Sequence, residues 1–284
     1  MLYLLKKITE LKRMRLYHKD SLEFLRAVIY IMQNRIILFG ECISLYVLPV
    51  RYAILSDISI SHNNRGAENL TSNKDFKYSV LMGLYHKDSP EFLRIAIDSM
   101  LNQTIPPEEY FIAVDGPIGE ELQGVLNDYR GRYGDLFTIY YHPENRGVGA
   151  ILGEVLPLCR NEFIARMDAD DYSVPERIEK ELAIFEAHPE YDWVGSNVDE
   201  FFDDMEHPVS HVIMPETTEE ILKFARRRCP FRQPTLLMKK SAVIAAGGYK
   251  NVYRYEDYEL IVRMLRKMTM GGGGIQHSAA ACAC

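Results

Sequence analysis

The stretch FIARMDADDY, Phe163 to Tyr172, ends an apolar run in three carboxylates, Asp168, Asp170 and Asp171, within four positions. Like charges this close repel unless something offsets them: a bound divalent cation, basic side chains, or exposure to water. A solvated acidic turn needs no further chemistry, but three kinds of site also use such a pattern. A calcium EF-hand loop would take Asp168 and Asp170 as its first and third positions and Glu179 as its twelfth. It also requires a glycine where Ser173 stands, and helical flanks, so it is excluded. An aspartyl-nucleophile phosphatase wants threonine or valine two residues beyond the second aspartate, where this chain has Tyr172. The third chemistry is a metal–diphosphate site, in which hard carboxylate oxygens hold Mg²⁺ or Mn²⁺ and the metal bridges phosphate oxygens.

A second acidic pair, Glu256 and Asp257 in YEDYEL, opens a segment with Leu260, Ile261, Met264 and Leu265 at helical spacing. Acids at a helix N-terminus are favoured by the helix dipole, which suffices as a structural explanation. Basic residues gather in KFARRRCPFRQPT, as Lys223, Arg226, Arg227, Arg228 and Arg232. They read as a solvated helix face or, because guanidinium matches phosphate geometry, as a phosphate-binding segment.

These groups need a frame, and the chain supplies an alternating one. YSVLMGLY reads as a buried strand, followed by a helix from Glu91 to Leu101 with Ser89 as N-cap and Pro90 at its first position. Phe92, Ile95, Ala96 and Met100 are expected on that helix's buried side. Strands YFIAVDG, LFTIYYH and EFIARMD then alternate with helices GEELQGVLNDYRGRY and GVGAILGEVLPLC. Such alternation predicts an α/β fold with a mostly parallel, doubly wound sheet, whose ligands bind at the carboxyl ends of the strands. Asp115 and Asp168 both fall there. Ser173 and Glu176 have the spacing of a capping box for the helix after the aspartate cluster.

Composition narrows the class. The 284-residue chain is 47% hydrophobic and 26% charged, with a formal net charge of −7. That balance suits a soluble globular protein and argues against general nucleic-acid binding. Five scattered cysteines form no CxxC pair, which points to a reduced, cytoplasmic setting without a zinc or disulfide framework. The apolar run from Ile36 to Val50 contains Glu41 and is too short to span a bilayer. The basic, leucine-containing start, MLYLLKKITELKRMRLY, lacks a cleavable signal; it could rest on an acidic membrane surface, although a solvated helix is the simpler reading.

The ordered set YSVLMGLYHKDSPEFLRIAIDSMLNQT, FIAVDGP, ENRGVGAILGE, ARMDADDYSVPERIEKE, FRQPTLLMKKSAVIAAGGY and YEDYELIVRML resembles the family 2 inverting glycosyltransferases of the GT-A fold, in particular bacterial enzymes of surface-polysaccharide synthesis. The resemblance spans about two-thirds of the chain. It implies a nucleotide-sugar donor, most simply a UDP-sugar, a divalent cation (Mg or Mn), and a saccharide or lipid-linked saccharide acceptor. On that resemblance Asp115 accepts a hydrogen bond from the base, Asn145 and Arg146 lie by the nucleotide, and Gly147 and Gly149 admit close backbone approach. Asp168 contacts the ribose or the metal's water shell, and Asp170 ligates the metal. Asp257 is the general base and Glu256 supports the acceptor or the sugar. Gln233 stands where relatives often carry histidine.

LYHKDSLEFLR at 16–26 nearly repeats LYHKDSPEFLR at 84–94. Residues 1–76 are therefore expected to be an atypical extension with a degenerate partial duplicate, 77–268 the working GT-A domain, and 269–284 a low-complexity tail outside any packed core. Relatives continue past the ED segment with elements that shape the acceptor side. A non-catalytic, nucleotide-binding remnant is thus the alternative expectation.

Overall fold

In the computed structural model, residues 51–54, 76–201, 208–252, 255–270 and 279–283 are described. The first copy of the near-repeat and the basic N-terminal segment lie outside them. The strands are β1 (Arg51–Ile54), β2 (Tyr78–Leu84), β3 (Glu109–Asp115), β4 (Phe137–His142), β5 (Phe163–Met167), β6 (Tyr172–Ser173), β7 (Tyr191–Ser196), β8 (Val198–Phe201), β9 (Ser210–Val212), β10 (Leu237–Lys239) and β11 (Ala279–Ala283). The α-helices are α1 (Pro90–Leu101), α2 (Glu120–Tyr133), α3 (Val148–Val155), α4 (Arg177–Ala187), α5 (Thr218–Phe224), α6 (Lys240–Ala245) and α7 (Glu256–Met270).

A seven-stranded sheet runs in the order β11-β7-β10-β5-β2-β3-β4, and a smaller sheet in the order β6-β1-β8-β9. In the large sheet β5, β2, β3 and β4 are parallel neighbours, while β10 inserts antiparallel between β5 and β7. This is the expected α/β architecture: a mostly parallel sheet flanked by helices. Strands β2 and β3 are continuous apolar runs because both faces are covered, as central parallel strands require.

Alternation along β2 distributes the core. Val80, Met82 and Leu84 point with Leu93 of α1, Leu122 of α2 and Ile178 of α4, whereas Leu81 points with Ile151 of α3 and Leu260 of α7. Helix α1 starts as the sequence implies, with Pro90 in its first turn and the Ser89 hydroxyl accepting from the Phe92 N–H at 3.4 Å. Its buried face is one step round from the expected one: Leu93, Ala96, Ile97 and Met100 are buried, and Ile95 is exposed.

The capping box does not form. Helix α4 begins at Arg177 after Glu176, which makes no side-chain cap. Ser173 is instead buried in β6, where its hydroxyl accepts from Gln103 Nε2 at 3.1 Å and its N–H donates to Ser99 Oγ at 3.2 Å. Strand pairing has outcompeted a local motif.

Two pieces expected outside the working domain also join the sheets. Strand β1 pairs with β6 and β8, and β11, from the alanine-rich tail, pairs parallel to β7. An edge strand needs only a free row of backbone donors and acceptors, so low side-chain complexity does not prevent it. Among the described residues no helix is long and apolar enough to cross a membrane.

Candidate active site

Strands β5, β2 and β3 are parallel and adjacent, so their carboxyl ends share one edge of the sheet. Asp168 follows β5, Asp88 lies in the loop after β2, and Asp115 ends β3. Only β2 separates the strand that leads to Asp168 from the strand that ends in Asp115. The sequence-derived donor residues are therefore brought together there.

Asp115 is buried and holds the loop before α3. Its Oδ1 accepts the Arg146 N–H at 2.7 Å, its Oδ2 the Gly147 N–H at 2.8 Å, and its backbone carbonyl the Asn145 side-chain amide at 3.1 Å. Gly147, at φ +91°, caps α3 in a conformation that glycine adopts without strain. Asn145 and Arg146 are exposed, and the Arg146 guanidinium reaches Glu154 at 3.0 Å.

The aspartate cluster is less uniform than its sequence. Asp171 is buried, while Asp168 and Asp170 are half-buried. Facing them from below is a cation not singled out in the sequence, Arg166, which is fully buried in β5. Its guanidinium donates to the Leu81 carbonyl at 2.8 Å and to the Met167 carbonyl, and pairs with Asp168. The Arg166 carbonyl in turn accepts from Arg177 Nη2 at 3.2 Å, and Arg177 pairs at 3.2 Å with Glu181, both buried. Residues 166 and 168 share a face of an extended chain, the one signal by which the sequence could have found this pair.

Asp88, in the segment that leads into α1, joins this edge as well. Burial first, and then the charges of Asp170 and Asp168, push its carboxyl up to about 7, against the pull of the Tyr85 N–H that it accepts at 2.8 Å. Asp88 thus senses the charges of Asp170 and Asp168 at the sheet edge. Among the described residues no group of three or more His, Cys, Asp or Glu side chains is arranged to hold a metal ion. Magnesium-type sites are usually completed by water and substrate phosphate around one or two carboxylates, so this donor set fits such a cation.

The second acidic pair meets this edge from another element. Glu256 and Asp257 open α7 as expected. Helix α3 approaches α7 so closely that a Cβ on Gly149 would lie 2.7 Å from Glu256 Cβ and would also collide with the Lys250 carbonyl. Burial raises the proton affinity of the Asp257 carboxyl from its ordinary value; the Tyr258 N–H, 2.6 Å from Oδ1, opposes that rise, and the charge of Asp168 adds to it. Glu256 is raised mainly by burial, with Asp257 and Asp168 contributing. The Asp168 charge reaches both residues, which ties the two acidic groups into one electrostatic site. Cys229 lies against it, its thiol donating to the Phe231 carbonyl at 3.1 Å with Asp257 Oδ2 at 3.9 Å.

Residues 79–250, more than half of the chain, match the domain described as glycosyl transferase family 2. The chain is 37% identical over 189 residues to an uncharacterized glycosyltransferase of Haemophilus influenzae, covering 66% of this chain and 69% of that protein. It is 34% identical over 190 residues to the amylovoran biosynthesis glycosyltransferase AmsE of Erwinia amylovora, with the same two shares. It is 35% identical over 192 residues to the UDP-Gal:alpha-D-GlcNAc-diphosphoundecaprenol beta-1,3-galactosyltransferase of Escherichia coli, covering 66% of this chain and 68% of that one.

Among solved structures, residues 1–349 of S. aureus TarS in complex with UDP superpose with a TM-score of 0.55 at 15% identity, over 73% of this chain and 57% of that chain. The mannosyltransferase PcManGT of Pyrobaculum calidifontis, in complex with GDP-Man and Mn²⁺, gives 0.51 at 12% identity, over 93% and 66%. At these identities the structural likeness speaks for the fold. The protein belongs to glycosyl transferase family 2.

Proposed function

We propose that this protein transfers a sugar from a UDP-sugar to a hydroxyl of a saccharide or lipid-linked saccharide, with inversion, in the assembly of a bacterial polysaccharide. The observation that carries this reading is the convergence of two acidic groups. One lies at the carboxyl edge of the parallel sheet, where nucleotides bind in such folds, and the other is a half-buried pair with raised proton affinity on α7. The names of the relatives support a polysaccharide pathway and, in one case, a diphosphate-linked acceptor.

In this reading Asp115, with Asn145 and Arg146, receives the base and ribose side of the nucleotide. Asp170 and Asp168 hold a divalent cation, Mg²⁺ or Mn²⁺, which when bound offsets the charge of the departing diphosphate. Arg166 fixes Asp168 from beneath. Asp257 accepts the proton of the acceptor hydroxyl as that oxygen attacks the anomeric carbon. The bond from that carbon to the diphosphate breaks, and its electron pair leaves on UDP. A base with raised proton affinity is the better proton acceptor at neutral pH. Single displacement through an oxocarbenium-like transition state gives inversion. Glu256 holds the acceptor or the transferred sugar.

The test is calorimetric titration of UDP into the protein, with and without Mn²⁺, for the native chain and Asp170→Ala. The expected result is metal-dependent binding that the substitution removes. Absence of UDP binding to the native chain, or binding indifferent to both Mn²⁺ and the substitution, would sink the donor site.

A further inference from the structure

The turn after α5 has no part in the donor chemistry above, yet it is joined to the helix that carries the proposed base. The Phe224 carbonyl accepts the N–H groups of Arg227 at 2.9 Å and Arg228 at 3.1 Å, which closes the turn. The Tyr258 hydroxyl, one residue from Asp257, donates to the Ala225 carbonyl at 2.5 Å. Cys229, the next residue after the turn's arginines, lies 3.9 Å from Asp257 Oδ2.

Three consecutive guanidinium groups, Arg226, Arg227 and Arg228, are exposed on this turn, with exposed Lys223 one helical turn before them. Among the described residues no acid lies within ion-pair distance of the three arginines, although the chain carries 40 Asp and Glu and a net charge of −7. Arg232, Arg146 and Arg263 each have a carboxylate partner. A cationic cluster kept clear of carboxylates in an acidic protein has its charge available to an external anion. The guanidinium fork matches phosphate and carboxylate oxygens alike, and of the two the glycosyl-transfer reading supplies phosphate.

We propose that Arg226, Arg227 and Arg228 bind the phosphate groups of a diphosphate-linked saccharide acceptor and so present its free hydroxyl to Asp257. This rests on the glycosyl-transfer reading above. Two other roles would give different results. Neutralising the carboxyl end of the seven-residue α5 would act on stability alone. Docking on anionic lipid headgroups would act on vesicle binding alone.

The experiment uses the full chain with its donor site saturated by UDP and Mn²⁺, and farnesyl diphosphate as the probe. Farnesol serves as the phosphate-free control. The R226Q/R227Q/R228Q variant should bind farnesyl diphosphate at least about tenfold more weakly than the native chain, as the loss of charge-assisted phosphate contacts implies. Its UDP affinity and melting temperature should be unchanged. If the triple variant does not fold, R227Q, at the middle of the turn, should show a smaller loss of the same kind.

Equal affinity of native and variant chains, or absence of probe binding to the native chain, would overturn the proposal. So would a loss confined to phosphatidylglycerol vesicles, or a lower melting temperature with probe affinity intact. UDP binding is read separately, so failure of the donor site would show there while the probe still decides the role of the arginines.

Discussion

Arg166→Met offers the sharpest test of how the site is held together. The substitution keeps an unbranched side chain but removes a guanidinium that is 0% exposed. The Leu81 and Met167 carbonyls lose that donor, and Asp168 loses its ion-pair partner. A buried polar group left unsatisfied costs about 1–3 kcal/mol. Removing one partner of a wholly buried ion pair costs about 3–5 kcal/mol. The Asp168 side chain is 36% exposed, so water solvates part of the stranded charge and the second figure is an upper bound. A loss of about 2–4 kcal/mol in unfolding free energy follows. Urea denaturation measures it as a shift in midpoint at constant slope.

The double variant Arg166→Met/Asp168→Asn separates the causes. If an uncompensated carboxylate is part of the damage, neutralising it should recover about 1 kcal/mol, seen as a coupling energy in the double-mutant cycle. A single-variant loss below about 1 kcal/mol, or no recovery in the double variant, would refute the reasoning.

Asp257→Asn should lower kcat by about 10²–10⁴-fold while leaving UDP affinity unchanged; in the native enzyme the acid limb of the rate–pH profile should be displaced upward from that of a free aspartate, because burial raises this group. Gly149→Ala should destabilise by about 1–3 kcal/mol, since overpacking against the Lys250 carbonyl and Glu256 outweighs the usual helix preference for alanine, and thermal unfolding would show it. Glu181, raised from 4.5 to about 7 chiefly by burial, binds its proton more tightly in the folded state, so stability falls as pH rises across that interval. The Glu181→Gln variant should lack that component, up to about 3 kcal/mol, in denaturation curves compared at pH 5 and pH 8.

The parallel strands and the two acidic groups were legible because their signals are local: continuous apolar runs, and acids placed where those runs end. Asp88 and Arg166 were not, because each acquires its character from the tertiary structure. Asp88 looks like one residue of a helix-start segment, and only its burial, with the charges of Asp170 and Asp168 nearby, sets it apart. Arg166 looks like an interruption of a strand, and only the enclosing sheet makes it a buried counter-charge. Glu109 shows the converse. It is an acid at the start of β3 as Asp115 is at the end, but Ser79 at 2.6 Å and the Arg160 N–H at 2.7 Å satisfy it at the opposite edge, a structural use that its type alone does not reveal. The Ser173–Glu176 spacing failed for a related reason: Gln103 and Ser99, some seventy residues earlier, engage Ser173 first.

The grip of Asp115 on residues 145–147 bears on the thermodynamics of association. Fixing a residue's backbone costs about 1–2 kcal/mol of conformational entropy. For this loop the ordering is completed when the chain folds, through two N–H groups held by one carboxylate. On the proposed reading a nucleotide would meet a preformed wall here, and less of its interaction energy would be consumed in ordering the protein. The side chains on that backbone are held as well, Asn145 by the Asp115 carbonyl at 3.1 Å and Arg146 by Glu154 at 3.0 Å, so the whole loop is set before any ligand arrives.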